Sequence, residues 1–154
     1  MSTDIEERLK TLGIRLPPVP LPAANYVPAM ISGGLVFVSG QVPKENEELR
    51  FVGKLGRDFS VEQGQQAARL CAINILANLN GTLGSLEKVG RMIKLTGFVN
   101  AVPDFKEPHF VVNGASDLIV EVLGERGRHA RSAVGVATLP NGVAVEVEAV
   151  AELA

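Results

Sequence analysis

The spacing of apolar and polar residues predicts two long helices with a strand between them. Apolar residues recur at helical spacing over residues 60–79, where Ser60 and Gln63 form a capping box. A second helical pattern covers residues 104–123, and Pro108 sets its true start because proline is tolerated in the first turn. Residues 89–99 alternate as in a strand. One face of that strand is expected to carry Val89, Arg91, Ile93, Leu95 and Val99.

The N-terminal part predicts a short helix, an extended segment and a hairpin. Thr3 and Glu6 form a capping box for a helix that Gly13 would end, which gives the impression of an appended element. Five prolines within residues 17–28 favour extended backbone that wraps over a surface. Strands over residues 29–32 and 35–39 then flank two glycines, which supply the positive φ angles of a tight turn.

The C-terminal part predicts a second hairpin. Strands over residues 132–138 and 143–151 flank a turn that contains Asn141 and Gly142, a pair that favours two-residue hairpin turns. We therefore expect a hairpin from Arg131 to Ala151. The complete order is β-β-α-β-α-β-β behind an N-terminal helix, which indicates one α+β domain over residues 1–154, with two helices on one face of a mixed or antiparallel sheet.

Composition narrows the class of protein. The 154 residues are 46% hydrophobic and 21% charged, as in a globular chain, and the net charge of -2 gives no basic field for nucleic acid. Cys71 is the sole cysteine, the first ten residues are acidic and polar, and no run approaches about 18 apolar residues. We expect a cytoplasmic protein without membrane or nucleic-acid partners.

Several short motifs over residues 26–151 together carry a family resemblance. They are Leu35-Val36-Phe37-Val38-Ser39-Gly40-Gln41, Asn113, Ala130-Arg131-Ser132, Leu139-Pro140 and Val145-Glu146-Val147-Glu148-Ala149. In this order and spacing they resemble the Rid (YjgF) family of reactive-intermediate deaminases. The resemblance implies a chorismate mutase-like fold and a homotrimer with three clefts between subunits. It also implies hydrolysis of 2-imino or enamine acids to 2-keto acids and ammonia, without metal or organic cofactor.

Two residues are expected to carry the chemistry. The guanidinium of Arg131 matches a carboxylate with a planar fork of donors and could hold a small acid. Glu146 interrupts an apolar strand and could deprotonate a water that attacks the C=N carbon. From the residues alone, a solvated or ion-paired Arg131 and a Glu146 on the solvent side of its strand are the commoner alternatives.

Five further residues are expected to contact the substrate by resemblance to the family. Ser39 and Gly40 match its strand-end pair, and Ala133 stands where many members carry a cysteine or threonine. Tyr26 matches a cleft tyrosine, although its context is Asn25-Tyr26-Val27-Pro28, and Asn113 could fix the cleft. As alternatives, Tyr26 would be an amphipathic lid residue, and Ser39 and Gly40 would be an ordinary strand end. Asn113 would bond nearby backbone.

The predicted hairpin also has a consequence for the site. With Asn141 and Gly142 in the turn, Ala137 would pair with Glu146, and Arg131 would lie six residues away, about 20 Å at 3.3 Å per residue. A site that uses Arg131 and Glu146 would then join two subunits.

Other chemistries are less favoured. His109 and His129 lack companions at metal-ligand spacing, so we expect no metal site. The basic cluster Arg126, Arg128, His129 and Arg131 has no interleaved aromatics, as stacking on RNA would need. Two alternatives stay open, a non-catalytic sensor of a small carboxylate and an endoribonuclease or translation inhibitor.

Overall fold

The computed structural model describes residues 3–19 and 25–154, so the predictions for Pro20 and Pro22 lie outside the described residues. Three 3₁₀ turns, Leu86–Lys88, Gly124–Gly127 and Pro140–Gly142, join the main elements. The helices are α1 (Asp4–Thr11), α2 (Val61–Leu83) and α3 (Pro108–Leu123). The strands are β1 (Ala29–Ser32), β2 (Leu35–Gln41), β3 (Lys44–Glu45), β4 (Glu48–Leu49), β5 (Val89–Asn100), β6 (Ala130–Val136) and β7 (Val145–Leu153).

Five strands form one mixed sheet in the order β1-β2-β7-β5-β6, and β3 and β4 form a separate two-stranded ribbon. Helices α2 and α3 pack together on one face of the sheet, where the core lies. The α+β class and the order of elements are confirmed. The ribbon was missed because both of its strands have only two residues.

The helix starts were predicted correctly because their signals are local. The capping boxes at Thr3 and Ser60 both form, and Pro108 is the first residue of α3. Helix α2 continues to Leu83 and ends at Gly84, which has a φ of 86°. Helix α1 is more than an appendage, because Ile5 is 1% exposed within the main core.

The first hairpin is confirmed and the second is wrong. Strands β1 and β2 pair across Gly33-Gly34, whereas β5 lies between β6 and β7. Asn141 and Gly142 do adopt positive φ angles of 55° and 72°, so the turn exists without the hairpin. The β5–α3–β6 crossover gives β6 a parallel partner in β5, and a turn signal cannot reveal such a long-range pairing.

A buried polar clamp at the end of β5 fixes this arrangement. Asn100, 3% exposed, donates to the carbonyl of Val143 at 3.1 Å and accepts from Nζ of Lys54 at 2.6 Å. Lys54 also donates to the carbonyl of Ala137 at 2.6 Å. The clamp therefore ties both ends of the β6–β7 connection to β5.

The predicted face of β5 needs a correction. Arg91 is exposed, and Met92 is buried in place of Ile93. The pairing with β7 shifts register between Val89 and Arg91 and again between Met92 and Lys94. Such irregularities break strict alternation, so the period-2 pattern holds only from Leu95 onward.

The face of the sheet opposite the helices is open and partly apolar. Met30, Phe37 and Val134 are each more than 40% exposed there. Val150 pairs with Phe37, and Phe98 pairs with Val134, so apolar side chains adjoin across neighbouring strands. Among the described residues, no helix is long and apolar enough to cross a membrane.

Close packing of α2 on α3 predicts an intolerance at Gly114. A β-carbon there would overlap the carbonyl oxygen of Gln65, so Gly114→Ala has to separate the helices. The helix propensity gained is about 1 kcal/mol, and we expect overpacking to outweigh it for a net loss of about 1–3 kcal/mol. Urea unfolding measures this loss. The control Gly135→Ala meets no atom closer than 3.9 Å and should change stability by less than about 0.5 kcal/mol; equal losses in both variants would contradict the packing argument.

Candidate functional site

Arg131 lies on the edge strand β6 with its side chain turned towards α3. Its Nη1 donates to Oδ1 of Asn113 at 2.8 Å and to Oγ of Ser116 at 3.2 Å, and its Nη2 donates to the carbonyl of His109 at 3.2 Å. All three acceptors are neutral, and the described part of the chain holds no carboxylate in an ion pair with Arg131. The guanidinium is therefore oriented without being neutralised.

Two of the five N–H groups of this guanidinium remain available, because three are used by the described residues. They are Nε–H and one hydrogen on Nη2. A carboxylate can accept both through its two oxygens. The side chain is half-buried beside a shallow depression of about 580 Å³. Its lining is Asn113, Ser116, Asp117, Val120, Glu121, Arg128, His129 and Arg131.

A histidine completes the surroundings of Arg131. Nε2 of His129 lies 2.9 Å from Oγ of Ser116, and Nδ1 lies 2.6 Å from the carbonyl oxygen of Gly127. Burial lowers the pKa of His129, the hydrogen bond to the Gly127 carbonyl partly opposes this, and the positive charge of Arg131 lowers the pKa further. The imidazole is thus held neutral next to the arginine.

Glu146 lies on the other side of the sheet. Its neighbours Val145 and Val147 are fully buried against the helices, so its side chain points to the open face. A β-carbon on Gly40 would overlap the carboxylate, whose Cδ would be 2.8 Å away. Glycine at position 40 therefore leaves the space that the carboxylate occupies, beside a register shift between Val38 and Gln41.

The environment of Glu146 favours its protonated form. Burial raises the pKa of Glu146, and the nearby charge of Glu148 raises it further. Within residues 3–19 and 25–154, no side chain donates a hydrogen bond to this carboxylate. Such a carboxyl group is a stronger base at neutral pH than an ordinary glutamate.

Ser39 lies on the Glu146 side of the sheet, by the alternation of β2. Both the amide and the hydroxyl of Ser39 donate to the carbonyl of Pro28, at 3.0 and 3.2 Å. That hydroxyl therefore fixes the segment between Tyr26 and β1. The Tyr26 side chain itself is 60% exposed. Sequence reasoning gave Ser39 a direct substrate contact, whereas in this chain its proton is already directed to Pro28.

The structure separates the two halves of the predicted site. Arg131 pairs with Leu95 and Glu146 pairs with Phe98, two strands apart across β5. The separation is about 10 Å across the sheet and about 10 Å along β5, and the side chains lie on opposite faces. The hairpin estimate of about 20 Å used a wrong pairing, yet Arg131 and Glu146 of one chain still cannot hold one small substrate.

A family model covers nearly the whole chain. The family described as "YjgF/chorismate mutase-like, putative endoribonuclease" matches residues 6–153. The chain belongs to this family. The resemblance drawn from the short motifs is thereby confirmed, together with the chorismate mutase-like fold.

Known members of the YjgF family differ in what they are named for. Protein TCP17 of Trypanosoma cruzi is 49% identical over 97% of this chain and 94% of its own. The crystal structure of Atu1372 from Agrobacterium tumefaciens, described as of unknown function, has a TM-score of 0.91 and 54% identity, covering 97% of this chain and 92% of that one. A 2-iminobutanoate/2-iminopropanoate deaminase of Salmonella typhimurium is 30% identical, over 86% of this chain and 90% of its own.

The residues predicted from the YjgF resemblance fall into two groups. The Arg131 group contains Asn113, which bonds the guanidinium and not nearby backbone, and Ala133, whose strand neighbour is Gly97. The Glu146 group contains Gly40 and Ser39, whereas Tyr26 is an exposed residue in the segment before β1. Whether these residues touch a substrate stays a prediction.

Sequence reasoning missed Ser116 and gave His129 no partner. A usable signal was present, because Asn113 and Ser116 are three residues apart on one helix and so share a face. His129 and Arg131 are two residues apart in extended backbone and share a side in the same way. Polar residues at both spacings would have indicated a contact between α3 and β6.

The raised pKa of Glu146 predicts how stability depends on pH. A carboxyl group whose pKa is raised by folding contributes stability that is fully present below its unfolded pKa, about 4.3. That contribution is lost as pH rises through the folded value. Glu146→Gln should therefore match the wild type near pH 4 and be the more stable protein at pH 7.5.

Thermal unfolding at both pH values measures the difference. Glu152→Gln, an exposed change on the same strand, is the control and should show no such divergence with pH. A Glu146→Gln variant that is less stable than the wild type at pH 7.5 would show that the carboxylate is favourably bound in the folded chain.

Proposed function

We propose that this protein hydrolyses small 2-imino or enamine acids to 2-keto acids and ammonia. The observation that carries the proposal is Arg131, a guanidinium oriented by Asn113, Ser116 and the carbonyl of His109 with two N–H groups left for an anion. Here neutral acceptors hold it, which is the arrangement expected of a carboxylate-binding site.

Glu146 supplies the second function. In the proposed reaction, Arg131 binds the substrate carboxylate and Glu146 removes a proton from the attacking water. The oxygen adds to the C=N carbon, the nitrogen takes up one proton returned by Glu146 and one from the new hydroxyl group, and the C–N bond breaks to release ammonia and the 2-keto acid. A carboxylate with a raised pKa suits this role, because it is more basic at neutral pH.

Two copies of the chain are needed to bring these groups together. Arg131 and Glu146 lie on opposite faces of one sheet, so the carboxylate site of one chain has to meet the open face of another. That face carries the exposed side chains Met30, Phe37 and Val134 beside Glu146. Large exposed apolar patches mark association surfaces, which supports the homotrimer with clefts between subunits.

Replacing the arginine tests the proposal. We expect Arg131→Ala to lower kcat/KM at least about 30-fold, since truncating one partner of a charge-assisted pair costs 2 kcal/mol or more. The assay is ammonia and keto-acid release from 2-imino acids generated in situ. Arg50→Ala is the matched control and should keep the wild-type rate, because it removes an exposed positive charge that pairs with Glu45 and does not line this depression.

The same variants separate the other functions. Saturable binding of a 2-keto acid that needs Arg131, without any acceleration of ammonia release, would identify a sensor. RNA cleavage that survives Arg131→Ala would identify a nuclease. Either result, found together with no acceleration of ammonia release by the wild type, would overturn the proposed deaminase activity.

Mixing two inactive variants tests the shared site. Subunits of Arg131→Ala and Glu146→Gln, reassembled together in equal amounts, should regain activity. About one quarter of the interfaces would then combine an intact arginine with an intact glutamate from the neighbour. Each variant reassembled alone is the control, and a mixture as inactive as both would show that the groups do not act across an interface.

A further inference from the structure

The hydrogen bonds around Ser116 allow only one direction when His129 is neutral. The carbonyl of Gly127 can only accept, so Nδ1 of His129 carries the ring proton and Nε2 is an acceptor. Arg131 can only donate, so Oγ of Ser116 accepts from Nη1. The Ser116 hydroxyl proton must then point to Nε2 of His129, 2.9 Å away.

The result is a series of hydrogen bonds with one direction, from Arg131 through Ser116 and His129 to the backbone at Gly127. Each member has its donor matched to an acceptor, and the last acceptor is a carbonyl in the 3₁₀ turn Gly124–Gly127. Gly127 is buried, and a β-carbon on it would lie 2.6 Å from the carbonyl oxygen of Ile119 in α3. This series of hydrogen bonds therefore ends on closely packed backbone.

Protonation of His129 would break this arrangement. Nε2 would become a donor, and Ser116 would face two cationic donors, so Nε2 could no longer accept the hydroxyl proton. Burial and the charge of Arg131 lower the pKa of His129 by more than the hydrogen bond to Gly127 raises it, which is consistent with the neutral ring. The other charged side chains around the same depression are Asp117, Glu121 and Arg128.

We propose that Ser116 and His129 are positioning residues that hold the Arg131 guanidinium in the orientation that binds the substrate carboxylate. This rests on the proposed function for the identity of the ligand, but the orientation of Arg131 can be measured without it. Asn113 and the His109 carbonyl hold two other N–H groups of the fork. Removing the hydrogen bonds through Ser116 and His129 should therefore loosen the guanidinium without releasing it completely.

The experiment compares variants that remove the hydroxyl or its acceptor with variants that keep them. Ser116→Ala and His129→Leu interrupt this series of hydrogen bonds, whereas Ser116→Thr keeps a hydroxyl and His129→Gln keeps an acceptor. Thr82→Ala, an exposed change on α2, is the remote control. The ¹⁵N relaxation of the Arg131 Nε–H group reports the mobility of the guanidinium, and pyruvate is the carboxylate probe for calorimetric binding.

We expect Ser116→Ala and His129→Leu to increase the mobility of Arg131 and to weaken pyruvate binding about 5-fold, as loss of one ordinary hydrogen bond would. In the deaminase assay KM should rise with little change in kcat, since the carboxylate is held equally in ground and transition states. Ser116→Thr and His129→Gln should stay close to the wild type.

The outcomes for positioning and for function are distinct. An Arg131 that is as rigid in Ser116→Ala as in the wild type, or a threonine variant as impaired as the alanine variant, would overturn the positioning role. A wild type that neither binds pyruvate nor releases ammonia would instead overturn the proposed function. The relaxation measurement would still decide the positioning role in that case.

Discussion

Strand β5 uses both of its hydrogen-bonding edges, with β6 parallel on one side and β7 antiparallel on the other, and the candidate site depends on this. The crossover through α3 carries the chain from β5 to β6, so β6 becomes an edge strand beside that helix. Arg131 can reach α3 only because β6 is at this edge. Strand β7 lies inside the sheet, so its outward side chains, Glu146 among them, share the open face with both neighbouring strands.

What the sequence predicted well is what depends on neighbouring residues. Capping boxes at Thr3 and Ser60, proline at the start of α3 and the Gly33-Gly34 turn all act within a few residues, and all form as expected. The C-terminal hairpin failed because Asn141-Gly142 determines the turn but not the partner of each strand. That partner is chosen by the α3 crossover and by Asn100, a buried polar residue that no local pattern reveals.

The site was predicted in part for the same reason. Arg131, Asn113, Gly40 and Glu146 were named through family motifs, and the structure adds which of them are in contact. Gly40 could not have been understood from sequence, because its role is to leave space for a carboxylate on another strand. Ser116 and His129 were not predicted, because their contact arises only when α3 packs against the residues before β6. Neither segment indicates that contact by itself.

The two halves of the site also differ in the electrostatic environment of the charged group, Arg131 in one and Glu146 in the other. On the α3 side, the acceptors that the described residues offer to Arg131 are neutral and the pKa of the adjacent His129 is lowered, so no ion pair there offsets the positive charge of Arg131. On the open face, the Glu146 carboxylate is partly desolvated and lies near a second carboxylate, so its negative charge is unfavourable. Within one chain these two groups lie on opposite faces of the sheet. In the shared cleft that we propose, a substrate carboxylate would bind Arg131 and a water that gives up a proton would meet Glu146, so the proposed chemistry and the proposed association of chains would stabilise the same arrangement.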